Sequence, residues 1–189
     1  MFRGKSLTWA AACAAMAVLG SCQAAEAATT ASPTVTGTVA AGALSLATSA
    51  APTFSANLAT GDQTPTYTLP LTATDTTGTG AGWNLTITST QFTTGGGTPH
   101  TLAANASTIT GATSACATGT CTNPTNAVTY PVGVPAAATA PTAVKFFNAA
   151  ANTGLGSFTI TPTVGVFVPS STFAGSYSST LTVSIVSGP

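Results

Sequence analysis

Apolar residues alternate with threonine and serine at every second position along much of this chain. In the clearest run one face carries Tyr177, Ser179, Leu181, Val183 and Ile185. Successive side chains of a β-strand point to opposite faces, so the pattern predicts strands with one buried face and one hydroxyl-covered face. Helical periodicity is nearly absent, because Pro135 and Pro141 interrupt the one alanine-rich stretch.

Further alternating runs indicate the fold class. They cover residues 67–73, 83–88, 158–161 and 164–168. Pro70 inside the first run predicts an edge strand or a bulge, and Pro162 is expected to end the third. Many short strands between turn signals, without a repeat of fixed period, predict an all-β protein: a single antiparallel β-sandwich, immunoglobulin-like in kind.

Two stretches interrupt the alternation. Residues 111–141 contain several prolines and we expect a long surface excursion there, while residues 147–152 are the one candidate for a helical turn. Cys116 and Cys121 lie in the excursion and predict a short disulfide loop, worth at most about 2 kcal/mol of stability. Two free thiols are the alternative, and zinc is disfavoured because no second ligand pair exists.

The N-terminus has the pattern of an export signal. Arg3 and Lys5 precede an apolar run over 7–19, too short for a spanning helix, which needs about 20 residues. We predict a signal peptide over 1–27, ending in Ala-Glu-Ala, a tether over 28–34 and one domain over 35–189. A lipobox reading, in which Cys22 is acylated and anchors the chain, stays open.

Ionisable side chains are almost missing, at 3% of residues against about 25% in ordinary soluble domains. Beyond residue 27 they are Asp62, Asp75, His100 and Lys145. Each aspartate is expected to bond its own backbone in a turn, and His100 to be exposed at a glycine-rich loop tip. This inventory offers no basic stripe for nucleic acid, no metal or cofactor site and no acid–base pair, so we expect a binding protein and not an enzyme.

Five segments together resemble the WxL domain of bacterial cell-surface proteins. The first contains an Asp-Gly turn and the second contains Trp83-Asn84-Leu85; the segments are 74–78, 82–87, 147–150, 154–156 and 174–185. The likeness extends from about residue 35 to 189. The family usually carries a second Trp-x-Leu in its last strand, where this chain has Val183-Ser184-Ile185.

The resemblance implies a secreted β-sandwich that attaches non-covalently to a Gram-positive-type cell wall, through peptidoglycan or another wall polymer, often with other surface proteins. The candidate wall-binding or core residues are Trp83, Asn84, Leu85, Tyr177, Val183 and Ile185. Alternation in phase with apolar neighbours favours a core position for Trp83 and Tyr177 over stacking on a sugar. The alternative is a self-assembling structural subunit, pilus-like or spore-coat-like, because low charge and long edge strands favour self-association.

Overall fold

Extended backbone dominates residues 34–189, the part of the chain that the computed structural model describes. The strands in this range are β1 (Leu44–Ala47), β2 (Thr66–Thr68), β3 (Leu71–Asp75), β4 (Trp83–Thr90), β5 (Ser107–Thr122), β6 (Val132–Gly133), β7 (Ala136–Ala137), β8 (Val144–Ala149), β9 (Leu155–Val166) and β10 (Leu181–Ser187). A 3-10 turn, Leu58–Thr60, is capped by the Asn57 side chain, which accepts from the Ala59 N–H. The predicted all-β class is confirmed.

The strands form two sheets packed face to face. The large sheet has the order β1-β3-β9-β5-β6, with β2 pairing β9 beside β3. The small sheet has the order β10-β4-β7, with β8 also pairing β4. Every pairing is antiparallel except that of β7 with β4, so the sandwich is antiparallel with one parallel exception.

The core lies between the sheets and is built by the alternation seen in the sequence. Trp83, Leu85 and Ile87 of β4 are fully buried, as are Phe158 and Ile160 of β9. Their neighbours on the other face carry hydroxyl or amide groups. Thr74 and Ser157, on adjacent strands, share a hydrogen bond of 3.0 Å between their hydroxyls.

Pro162 lies inside β9 and does not end a strand, so the expectation of two strands separated there is wrong. Its carbonyl accepts a hydrogen bond of 3.1 Å from the Leu69 N–H. In an antiparallel ladder both backbone groups of a residue face the same neighbour. The missing N–H of Pro162 therefore also faces Leu69, so this pair keeps one of its two ladder hydrogen bonds. The loss falls at the break between β2 and β3, where Pro70 also lies.

The two interrupting stretches also differ from expectation. Residues 147–152 do not form a helical turn, because β8 runs to Ala149. The register of β8 on β4 shifts between Leu85 and Thr86, so Phe146 and Phe147 are both buried and the alternation is hidden. Residues 111–122, expected to be a loop, continue β5 as a strand whose side chains are largely exposed.

The closing strand is shorter than predicted. β10 begins at Leu181, and Tyr177 and Ser179 precede it, although Ser178 pairs with Thr93. The predicted phase is correct, since Leu181, Val183 and Ile185 point inward and are half-buried.

The predicted signal peptide, Cys22 and nearly all of the tether lie outside the described residues. Within residues 34–189, no helix has the length and apolar character needed to cross a membrane.

Candidate functional site

The Trp-x-Leu segment is part of the core. Trp83 has 0% exposure, and its indole N–H donates a hydrogen bond of 2.9 Å to the Gly154 carbonyl. Its ring stacks on Phe147 with the centroids 5.9 Å apart. Gly154 has φ of 71°, and a Cβ there would lie 2.7 Å from the indole nitrogen. In the folded domain, therefore, Trp83 has no face free to contact a polymer.

The Val183-Ser184-Ile185 segment lies directly beside the Trp-x-Leu segment. In the register of β10 on β4, Val183 is opposite Ile87 and Ile185 is opposite Leu85. The Asn84 side chain donates to the Gly188 carbonyl at 2.9 Å and so ties down the end of β10. Five of the six candidate residues thus come together, as a structural unit, and Tyr177 lies apart from them.

Cys116 and Cys121 are joined in the predicted disulfide, with their Cα atoms 5.9 Å apart. The register of β5 on β9 shifts on both sides of Thr118, so the bridge closes a bulged loop on an exposed edge. Gly156 lies against it, since a Cβ at Gly156 would be 3.2 Å from the Cys121 sulfur. The bridge stabilises this edge.

Two loops meet at one end of the sandwich and form what we call the loop-end site (His100, Phe173 and Tyr177). In the first loop, Thr93 pairs with Thr101, and the Thr94 hydroxyl accepts from the His100 N–H at 3.0 Å. In the second loop the Tyr177 hydroxyl donates to the Phe173 carbonyl at 2.9 Å. Because Thr93 also pairs with Ser178, the two loops are held together by backbone hydrogen bonds.

The loop-end site presents an aromatic ring to solvent. The His100 and Phe173 rings are stacked, with centroids 3.8 Å apart and planes within 9°. Phe173 is nevertheless 63% exposed. His100 is half-buried, so the expectation of a freely exposed loop-tip histidine is wrong.

A shallow recess of about 260 Å³ adjoins the Phe173 ring. Its lining comprises Thr101, Leu102, Ala103, Pro169, Ser171, Thr172, Phe173 and Tyr177. An apolar ring bordered by hydroxyl groups that both donate and accept is suited to a ligand with C–H faces and hydroxyl or amide edges. The sequence analysis did not identify Phe173 as a candidate, because it lies outside the alternating runs. The available signal was a large aromatic residue within a stretch of Ser, Thr, Ala and Gly.

The aspartates are engaged by backbone groups. Asp75 is buried, and its carboxylate accepts from the Thr77 N–H at 3.0 Å and the Thr77 hydroxyl at 2.7 Å, as expected for a turn residue. Asp62 accepts from the Ser170 N–H at 2.8 Å and not from its own turn, so that expectation is wrong. This bond lowers the pKa of Asp62. No group of His, Cys, Asp and Glu residues within the described range could hold a metal ion.

Comparison with known proteins gives one family. The family model described as "WxL domain surface cell wall-binding" matches residues 38–189. No curated protein and no solved structure matches the chain significantly.

Proposed function

Because the chain belongs to the WxL family of cell wall-binding surface domains, we propose that it attaches non-covalently to peptidoglycan through the loop-end site. WxL is a binding family and not an enzyme family, and the family places the protein at the cell surface. The polymer and the residues that contact it are our proposal.

The observation that carries the proposal is the exposed, stacked ring of Phe173. Aromatic side chains bury a large area at low conformational cost, and the C–H face of a sugar ring packs on such a surface. His100 fixes one face of Phe173, at 3.8 Å between centroids, so the ring is already oriented before a ligand arrives. Hydroxyls of Thr101, Ser171 and Thr172 border the recess and supply hydrogen bonds to hydroxyl and acetamido groups.

The charge pattern favours a neutral glycan over an anionic wall polymer. Of the described side chains that line the recess, none is Asp, Glu, Lys or Arg. The affinity of binding through stacking and neutral hydrogen bonds depends little on ionic strength. The affinity of charge-based binding to an anionic polymer falls steeply as ionic strength rises. We therefore expect similar binding to purified peptidoglycan at low and at high ionic strength.

The decisive variant is Phe173→Ala, measured by co-sedimentation with purified peptidoglycan. We expect the affinity to fall about fivefold to tenfold, because one stacking surface is lost. Phe167→Ala is the matched control, since Phe167 is also exposed but does not line the recess. Melting curves check that both variants are folded. Undiminished binding of Phe173→Ala would overturn the loop-end assignment.

We also propose export through the leader over 1–27, with the mature chain beginning at Ala28 and residues 35–189 forming the wall-binding domain. The lipid-anchored alternative begins at Cys22. The intact mass of the exported protein distinguishes them, because a chain that begins at Cys22 carries a diacylglycerol group and keeps the six residues 22–27.

The alternative function, a self-assembling surface subunit, is favoured by one observation. β1 pairs only with β3 and β10 pairs only with β4, so each is an edge strand, and both border an open apolar groove. Edge strands of this kind are templates for pairing with another chain.

A further inference from the structure

A groove of about 1230 Å³ lies between the two sheets, and we call it the open groove. One wall contains Leu46 of β1 and the segment that follows it, and the other contains Leu181 and Val183 of β10. Its floor is apolar: Phe54, Tyr67, Leu69, Leu71, Phe92 and Leu102. Leu181 and Val183, which point toward the core, are only half-buried there.

A segment of matching chemistry precedes the domain. Residues 34–41 read Thr-Val-Thr-Gly-Thr-Val-Ala-Ala, with apolar or small residues at 35, 37, 39 and 41 and threonine at 34, 36 and 38. This is the alternation of the core strands. Yet Val35 is 92% exposed and Val39 is 98% exposed, and the described residues 34–43 form no strand.

We infer that residues 34–40 of one copy bind in the open groove of a second copy as an added strand along the free edge of β10. Seven residues in strand conformation span about 23 Å, and seven consecutive residues, 177–183, line the groove at the start of β10. Val35 and Val39 would lie on one face, about 13 Å apart, and cover the half-buried side chains of the groove. The threonines would face solvent, as they do elsewhere in the molecule.

Three features favour this occupant. The main-chain groups on the free edge of β10 supply the ladder hydrogen bonds of strand addition, and the apolar floor supplies pockets for alternate side chains. Neither the segment nor the lining of the groove contains an ionised side chain, so no charge is desolvated. The Gly42 N–H donates to the Thr76 carbonyl at 2.8 Å, which fixes where the free segment leaves the domain.

Such a contact is heterologous: the segment of each copy meets the groove of the next, so the assembly is an open row. This inference does not depend on the peptidoglycan proposal. It predicts that the mature protein forms oligomers whose size rises with concentration.

The test is sedimentation velocity of the mature chain over a concentration series. We expect Val35→Thr/Val39→Thr to weaken association about tenfold or more, because both apolar contacts are lost. Val186→Thr is the matched control, as Val186 is 50% exposed on the outer face of β10 and should leave association unchanged. A wild-type protein that stays monomeric, or equal loss in the control, would overturn the inference.

Cross-linking separates a second copy from the chain's own segment. Val39→Cys protein is mixed with Val183→Cys protein, and a mixed disulfide between the two is expected on a non-reducing gel. A chain carrying both substitutions that closes only on itself, at all concentrations, would mean that the groove takes its own segment and would overturn the proposal. We expect Val35→Thr/Val39→Thr to co-sediment with peptidoglycan as the wild type does. The co-sedimentation result therefore tests the peptidoglycan proposal separately from self-association.

Discussion

The Trp83 end of the sandwich and the open groove are built from the same pattern but differ in burial. At the first, which we call the closed end (Trp83, Phe147 and Gly154), the indole has 0% exposure and its N–H is bonded to a carbonyl. In the open groove the inward residues of β1 and β10 are half-buried and border about 1230 Å³ of space. Alternation determines which face is apolar, whereas neighbouring strands determine whether that face is covered.

This difference in burial separates the Trp-x-Leu motif from the surfaces that are accessible to a ligand or a partner. The Trp-x-Leu segment holds β4, β8 and β10 together, and its tryptophan is inaccessible in the folded domain. Apolar side chains that are exposed or half-buried lie elsewhere: Phe173, Leu181 and Val183 beside the groove, and Val35 and Val39 of the N-terminal segment. The motif is thus part of the core, and the recognition surface that we propose consists of residues that no single motif marks.

The largest expected effect is loss of Trp83. Trp83→Ala should lower the free energy of unfolding by about 3–5 kcal/mol, because it leaves a cavity and an unbonded Gly154 carbonyl. Urea titration followed by circular dichroism measures this change. Val186→Ala on the outer face should change stability by no more than about 0.5 kcal/mol. A Trp83→Ala protein of unchanged stability that no longer bound the wall would show that Trp83 is a binding residue and not a core residue.

Gly154→Ala should rank second, at about 2–4 kcal/mol. Alanine is strained at φ of 71°, and its Cβ would lie 2.5 Å from the Ala149 Cβ. Gly97→Ala is the control, since a Cβ at Gly97 meets no atom within 4 Å. Differential scanning calorimetry should show a clear fall in Tm for the first variant and almost none for the second.

On the groove side, stability should fall in alkali. Burial raises the pKa of Tyr67 from 10.0 to about 12, so the folded state retains the phenolic proton over that interval. The contribution is complete below pH 10 and is lost between pH 10 and 12, by up to about 2–3 kcal/mol. Urea midpoints measured across this range should decline less in Tyr67→Phe. An identical decline in both proteins would exclude Tyr67 as its cause, leaving groups such as Tyr130, whose pKa burial also raises.

The smallest effect belongs to the disulfide on β5. Cys116→Ser/Cys121→Ser should cost about 2 kcal/mol, since the closed loop is short. Hydrogen exchange should increase along residues 111–122 and hardly at all in β4 or β10. Protection lost evenly over both sheets would show that the bridge supports the whole fold and not one edge.

The sequence predicted the strand faces well because burial on one side imposes a period of two. Trp83 and Leu85 were placed correctly for that reason. The strand around Phe146 and Phe147 was not predicted, because a bulge places these consecutive residues on one face. The position of a bulge depends on the partner strand and cannot be seen in one segment. The loop-end site escaped because His100 and Phe173 meet only through tertiary contact.

The pairing of β10 with β4 also bears on how fast the domain folds. Asn84 and Gly188, joined by a side-chain hydrogen bond, are 104 residues apart in sequence. A ladder between such distant segments requires a large loop to close before its contacts are gained, and proteins dominated by non-local pairing fold on the order of milliseconds to seconds. During that interval the uncovered edge of β4 is available to other chains, so refolding yield should fall as protein concentration rises.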